Sequence, residues 1–154
     1  MSAIKMVRTI LVGVDGSHES DRAATLAGQL AATLGAVLVA VHATGLLDVW
    51  PEHPETHGAR NSHSHVDLMM RGTWTDPARQ SGVEPQLILR DGPPSLVLTA
   101  VADEMDADLI IIGTRGAGSS DPFGLGSTAA KLAQRSTRPI LIVPGARTRS
   151  DEPE

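Results

Sequence analysis

The chain has 154 residues, 41% of them hydrophobic, which suits one globular domain with a sizeable core and leaves little room for a second. A formal net charge of -5 gives no electrostatic footprint for nucleic acid or for an anionic membrane surface, and neither partner is expected. The absence of cysteine excludes disulfides, thiolate catalysis and cysteine-based zinc sites, and no apolar run approaches the ~20 residues of a membrane span, so a cytoplasmic protein is expected.

Aromatic residues make up only 2%, so the core must be built from Val, Ile, Leu and Ala, a composition that fits α/β packing. Thr9 to Val14 is rich in β-branched residues and ends at Asp15-Gly16-Ser17, a turn that starts a helix. Ala23, Ala27, Leu30 and Leu34 recur at helical spacing, and Gly35 stands where a left-handed C-terminal cap is expected. Ala36 to Val41 predicts a second strand buried on both faces, parallel to the first.

From Thr44 to Gln80 the pattern weakens. Gly72 and Pro77 argue against a long regular helix, so an excursion ending in an imperfect helix is expected. His53 and His57 would share a face if helical, and His63 and His65 would share one if extended, but no carboxylate or thiolate completes a metal set. A solvated loop is the expectation there, with Met69, Met70 and Trp74 as packing residues.

Gln86 to Leu89 predicts a third strand, and Pro93-Pro94 opens a helix whose Val97, Leu98, Val101, Ala102 and Met105 share one side. Asp103, Glu104, Asp106 and Asp108 read as a solvated helix end and strand entry rather than a metal site. Leu109 to Ile112 predicts the central strand, Ser127 to about Ser136 the last helix with Ala129, Leu132 and Ala133 inward, and Ile140 to Val143 the final strand. The charged stretch 147–154 lacks an apolar anchor and is expected to be a disordered tail behind a single domain spanning 1–146.

Five strands separated by helices predict an open parallel sheet of order 3-2-1-4-5 with helices on both faces. Ligands of such sheets sit at the carboxyl ends of strands where the winding reverses, here between Asp15 and Gly113. The stretch Ile110-Ile111-Ile112-Gly113-Thr114-Arg115-Gly116 is followed, after nine further residues, by Gly126-Ser127-Thr128. Glycines where a buried strand ends mean that the backbone turns and approaches something closely, and a phosphate is the expected occupant. Free N–H groups, two hydroxyls and the positive end of the last helix point back toward it. Neither a Gly-x4-Gly-Lys-Ser/Thr loop nor a Gly-x-Gly-x-x-Gly turn occurs after a strand, so P-loop and dinucleotide readings fall.

The spacing Gly113-x2-Gly116-x9-Gly126-Ser127 resembles the nucleotide-binding signature of the universal stress protein family. Agreement extends to Val14-Asp15-Gly16-Ser17, Val41-His42, Asp108-Leu109-Ile110 and Arg138 to Val143, almost the whole chain. The resemblance implies a Rossmann-like, adenine nucleotide alpha hydrolase-like fold, and an ATP-binding member acting as a nucleotide-responsive regulatory module in stress response. Carried onto this sequence, it implies that Asp15 contacts the nucleoside and that the backbone of Ala43 meets adenine. Gly113, Gly116, Gly126, Ser127 and Thr128 would cradle ribose and phosphates, with charge from Arg115. Gly13, Val14, Ile112 and Thr114 complete the implied cofactor-binding set. On the residues alone, Asp15 reads equally as a residue that caps the first helix or stabilises its turn, a role compatible with nucleotide contact; Ser17 reads as the cap.

Asp121 lies in the nine-residue spacer, where an acid beside polyphosphate calls for an outward turn or a divalent ion, so Mg²⁺ or Mn²⁺ is expected with the nucleotide. The final strand, Ile140 to Val143, falls at a sheet edge, and together with the resemblance this predicts a homodimer formed through it. No general base can be placed from sequence, so at most weak ATPase activity is expected. The alternatives are an adenylating or slowly ATP-hydrolysing enzyme of the ATP pyrophosphatase type, which Val12 to Ser17 resembles loosely, and a nucleotide-free dimeric interaction protein.

Overall fold

Alternation along each strand places apolar side chains on both sides, so every strand needs cover above and below. In the computed structural model, which describes residues 5–44, 57–114 and 124–145 (57–63 by their backbone alone), that cover comes from five helices. The strands are β1 (Thr9–Gly13), β2 (Val37–Ala43), β3 (Gln86–Arg90), β4 (Leu109–Gly113) and β5 (Ile140–Val143). All neighbours pair in parallel in the order β3-β2-β1-β4-β5, as the sequence predicts. The helices are α1 (His18–Leu34), α2 (His57–Arg71), α3 (Asp76–Arg79), α4 (Pro94–Glu104) and α5 (Ser127–Arg135).

One core joins Ile10, Val12, Leu38, Ala40 and Ile111 to Ala23, Ala27 and Ala31 of α1, with Met70 and Ala78. The other joins Leu11, Val39, Val41, Ile110 and Ile112 to Val97, Leu98 and Val101 of α4 and Ala129 and Leu132 of α5. Helices α1, α2 and α3 thus cover one face of the sheet, and α4 and α5 the other. Each fully buried Ile, Leu or Val contributes about 1.5–3 kcal/mol, so a one-residue slip in β1 would forfeit the match to both layers at once.

Several helix details differ from expectation. The buried stripe of α1 ends at Ala31, leaving Leu34 46% exposed, while Gly35 closes the helix with φ 63°. Helix α5 rests on the sheet through the narrow stripe Ala129 and Leu132, and Ala133 is exposed.

The segment after β2 requires a correction. Residues 57–65 belong to helix α2 and not to a loop, so the extended geometry that would pair His63 with His65 does not arise; His53 lies outside the described residues. The expected imperfection falls at Gly72, where α2 stops before the chain restarts as α3 with Pro77 in its first turn. The intervening turn is heavily bonded: the Trp74 N–H donates to the Met69 carbonyl at 3.0 Å, and the Thr75 and Asp76 N–H groups both reach the Gly72 carbonyl at 3.0 Å. Thr75 is fully buried, its hydroxyl donating to the Met70 carbonyl and accepting from Arg79 Nη1 at 2.7 Å. Met70 is a core residue as expected, but Trp74 sits on this turn rather than on a helix.

At the amino ends of the strands the acids are paired rather than gathered around an ion. Asp108 Oδ2 accepts from the Arg8 and Thr9 N–H groups at 2.8 and 3.1 Å, and Lys5 Nζ lies 2.8 Å from Oδ1. Arg138 reaches Asp103 at 3.1 Å, Asp106 at 3.2 Å and the Ala107 carbonyl, while Arg90, the last residue of β3, holds Glu104 through two bonds of 2.7 and 2.9 Å. No group of three or more His, Asp or Glu able to hold a metal occurs among the described residues.

Candidate functional site

Strands β1 and β4 are adjacent, yet the helices that follow them leave to opposite faces, α1 to one and α5 to the other. The carboxyl ends of these two strands therefore flank the crevice where an open parallel sheet accepts ligands. The helices that follow β1 and β4 both begin beside this crevice, and they differ in how their orphan N–H groups are treated.

The N-terminus of α1 is satisfied by its own chain. Ser17 is the cap: its hydroxyl accepts from the Ser20 N–H at 3.1 Å and donates to Asp15 Oδ1 at 2.6 Å. Asp15 Oδ1 also accepts from the Ser17 N–H at 2.9 Å, and the Asp15 N–H donates to Ser20 Oγ at 3.0 Å. Asp15 therefore stabilises the turn, one of its two compatible roles, and Ser17 caps as read from sequence. Glu19 and Asp21 occupy the first turn, and burial, with the added charge of Asp15 and against the opposing charge of His18, raises the Asp21 carboxyl above its ordinary range. This end carries negative charge already.

Among the described residues, no side chain caps the N-terminus of α5. Gly126 is its cap residue and offers no side chain, and no acid lies in the first turn. The Gly126 N–H donates to the Thr114 carbonyl at 2.7 Å, and the Thr114 N–H donates to the Val143 carbonyl at 3.0 Å. The end of β4 and the mouth of α5 are thus fastened together with Ser127 and Thr128 just inside the helix. An uncapped first turn carrying two hydroxyls beside a strand end is suited to anion binding.

Gly13 and Val14 end β1, with Gly13 half-buried against Ile112 and Leu98. Ile112 is buried, and Gly113 and Thr114 follow it at the end of β4. Gly113 is indeed approached closely, but by protein: a Cβ there would lie 2.6 Å from the Glu19 Cβ and 2.9 Å from its carbonyl carbon. At this glycine the first turn of α1 makes a close approach. Ala43 ends β2 one strand away, in register with Arg90. The structure brings together the ends of β1 and β4 and the mouth of α5, with Ala43 on the flank. Arg115, Gly116 and Asp121 lie outside the described residues.

Sequence reasoning gave no structural role to His42 and read Trp74 only as a packing residue. His42 Nδ1 lies 2.7 Å from the Val14 carbonyl, and its ring packs on Trp74 with centroids 4.9 Å apart and planes tilted by 57°. A histidine at the end of an otherwise apolar strand was the available signal.

A family profile described as the universal stress protein family matches residues 6–144. The universal stress protein YxiE of Bacillus subtilis is 32% identical over 149 residues, covering 90% of this chain and 99% of that protein. Among solved structures, a universal stress protein in complex with cAMP aligns with a TM-score of 0.71 at 29% identity, covering 92% of this chain and all of that one. The universal stress protein of Archaeoglobus fulgidus in complex with dAMP has the same fold, with a TM-score of 0.64 at 22% identity over 90% of this chain and 99% of that one.

Proposed function

Because the chain belongs to the universal stress protein family, we propose that it is an ATP-binding member: a dimeric, nucleotide-responsive binding module of the cytoplasm rather than a fast enzyme. The observation that carries this reading is the open N-terminus of α5, fastened to the end of β4 by the Gly126 to Thr114 bond, in contrast to the self-capped and acidic N-terminus of α1. The glycine signature supports it, as does the structural likeness to a universal stress protein in complex with cAMP.

In this reading the β- and γ-phosphates take the N–H groups and hydroxyls of Ser127 and Thr128, with the backbone of Gly126 in contact and Arg115 and Gly116 completing the loop. Ribose lies against Ile112, Gly113 and Thr114. The nucleoside reaches Gly13, Val14 and Asp15, and adenine meets the backbone of Ala43. The acids of the α1 first turn keep the triphosphate toward α5, since like charge repels. Because no described cluster holds a metal by itself, Mg²⁺ or Mn²⁺ would arrive bound to phosphate oxygens.

The dimer follows from the edge position of β5. The carbonyls of Pro139 and Val143 accept from Ile110 of β4 and from Thr114 just beyond it, so Ile140 and Ile142 turn their N–H and C=O groups to the open edge. A second β5 would pair with them. Residues 1–146 would form the single nucleotide-binding domain, with 147–154 as a tail.

The test is mass spectrometry of nucleotide carried through purification under native conditions, followed by equilibrium dialysis with ATP and Mg²⁺. Co-purified adenine nucleotide and saturable ATP binding are expected. Failure to bind ATP at millimolar concentration overturns the reading.

A further inference from the structure

The turn after β1 is held from outside as well as by its own hydrogen bonds. The Val14 N–H donates to the Val41 carbonyl at 2.9 Å, and the Val14 carbonyl faces His42 Nδ1 at 2.7 Å. A carbonyl only accepts, so Nδ1 carries the hydrogen in this contact, and β2 grips β1 one residue beyond the paired strand. The His42 ring also packs against Trp74, with centroids 4.9 Å apart. The indole in turn lies over Gly16: a Cβ on Gly16 would fall 2.8 Å from Trp74 Cε2 and closer still to Nε1. Gly16 has φ 79°, so both its conformation and its ceiling exclude a side chain. The platform that presents Trp74 is the bonded turn between α2 and α3, anchored by buried Thr75.

From this geometry we infer that His42 and Trp74 are positioning residues that clamp the Asp15-Gly16-Ser17 turn from the side of the α2–α3 connection. The inference rests on the proposed role of Asp15 at the nucleoside. A pre-set turn spares the ligand the cost of selecting it: if the turn held its bound geometry a tenth of the time, apparent affinity would fall about tenfold. The clamp also joins the nucleotide site to a segment that touches no ligand in the proposed pose, so occupancy of the site and order at the α2–α3 turn stabilise one another.

Amide hydrogen exchange on the full, ligand-free protein tests the clamp without any nucleotide. Trp74→Ala should speed exchange of the Asp15 and Ser17 amides by about tenfold or more while the Ile111 amide in β4 is unchanged, and Trp74→Phe should restore protection. Unchanged exchange at Asp15 and Ser17, or an equal rise at Ile111, overturns the inference. Should Trp74→Ala not fold, Gly16→Ala in a Trp50→Phe background decides: expulsion of the indole should red-shift Trp74 emission, and unshifted emission overturns the clamp. Equilibrium dialysis then separates the two claims. Wild-type binding of ATP with equal binding by Trp74→Ala sinks the positioning role and leaves the proposed function standing. No binding by wild type sinks the proposed function, while exchange still decides the clamp.

Discussion

Gly113 and Glu19 are packed so closely, the first turn of α1 against the end of β4, that a methyl group on Gly113 would stand 2.6 Å from the Glu19 Cβ, 2.9 Å from its carbonyl carbon and 3.1 Å from its oxygen. The glycine of the β4 end is therefore demanded by packing, whatever else binds there. Gly113→Ala should destabilise the ligand-free protein by about 1–3 kcal/mol, the usual cost of forcing extra volume into a packed site. Urea unfolding at neutral pH checks this, and a stability equal to wild type would mean that α1 can move away.

Asp108 makes the fold sensitive to acid. The Lys5 ammonium and the Arg8 and Thr9 N–H groups hold its carboxyl down to about 2, from 3.8. A folded-state value below the unfolded one adds stability that is present above about pH 4 and is lost as pH falls through about 2. The contribution is at most about 2 kcal/mol once solvent screening at the exposed Lys5 is allowed for. Asp108→Asn should be less stable than wild type at pH 7 and converge with it near pH 2, as followed by urea midpoints. Parallel curves would show that the carboxylate contributes nothing specific.

Ser17 is linked to both Asp15 and Ser20, so its removal costs a helix cap and loosens the turn. Ser17→Ala should lower stability by about 1 kcal/mol in thermal unfolding. Under the proposed function it should also weaken ATP binding, whereas an intact affinity would place Asp15 in the turn alone.

The edge geometry of β5 permits a clean test of assembly. Proline at an outward-facing position removes an edge N–H without touching the β4 ladder, and edge strands tolerate it. Ile142→Pro should sediment as a monomer where wild type sediments as a dimer, with far-ultraviolet circular dichroism nearly unchanged. A persistent dimer would move the interface elsewhere.

Much of this architecture is legible in the residues. The Val, Ile and Leu runs have no face left for solvent, which dictates a sheet covered on both sides, and the short strand-helix-strand connections dictate parallel pairing. Ser17 and Gly35 mark the ends of α1 through local chemistry that a sequence displays. The open mouth of α5 is legible for the same reason, since Gly126-Ser127-Thr128 supplies no acid and no capping side chain. What stays hidden depends on long-range contact. Nothing local tells that Gly113 is needed for Glu19, that Trp74 closes over Gly16, or that His42 grips Val14, because each pair is separated by tens of residues and meets only when the sheet is assembled. Helix α2 was obscured by its His and Gly content and by the flanking Pro51, Pro54 and Pro77, which lower propensity without preventing a helix that packs through Val66 and Met70.

The central claim is that main-chain amides at the mouth of α5 hold the phosphates of ATP. Backbone amide chemical shifts of the ¹⁵N-labelled protein, followed through a titration with ATP and Mg²⁺, address it directly. The account predicts saturable shifts at Gly126, Ser127 and Thr128 with a common midpoint, all lost in Gly126→Val, whose branched side chain would block the phosphate while leaving the fold intact. Saturable shifts confined to other parts of the chain, or undiminished shifts in that variant, would contradict it.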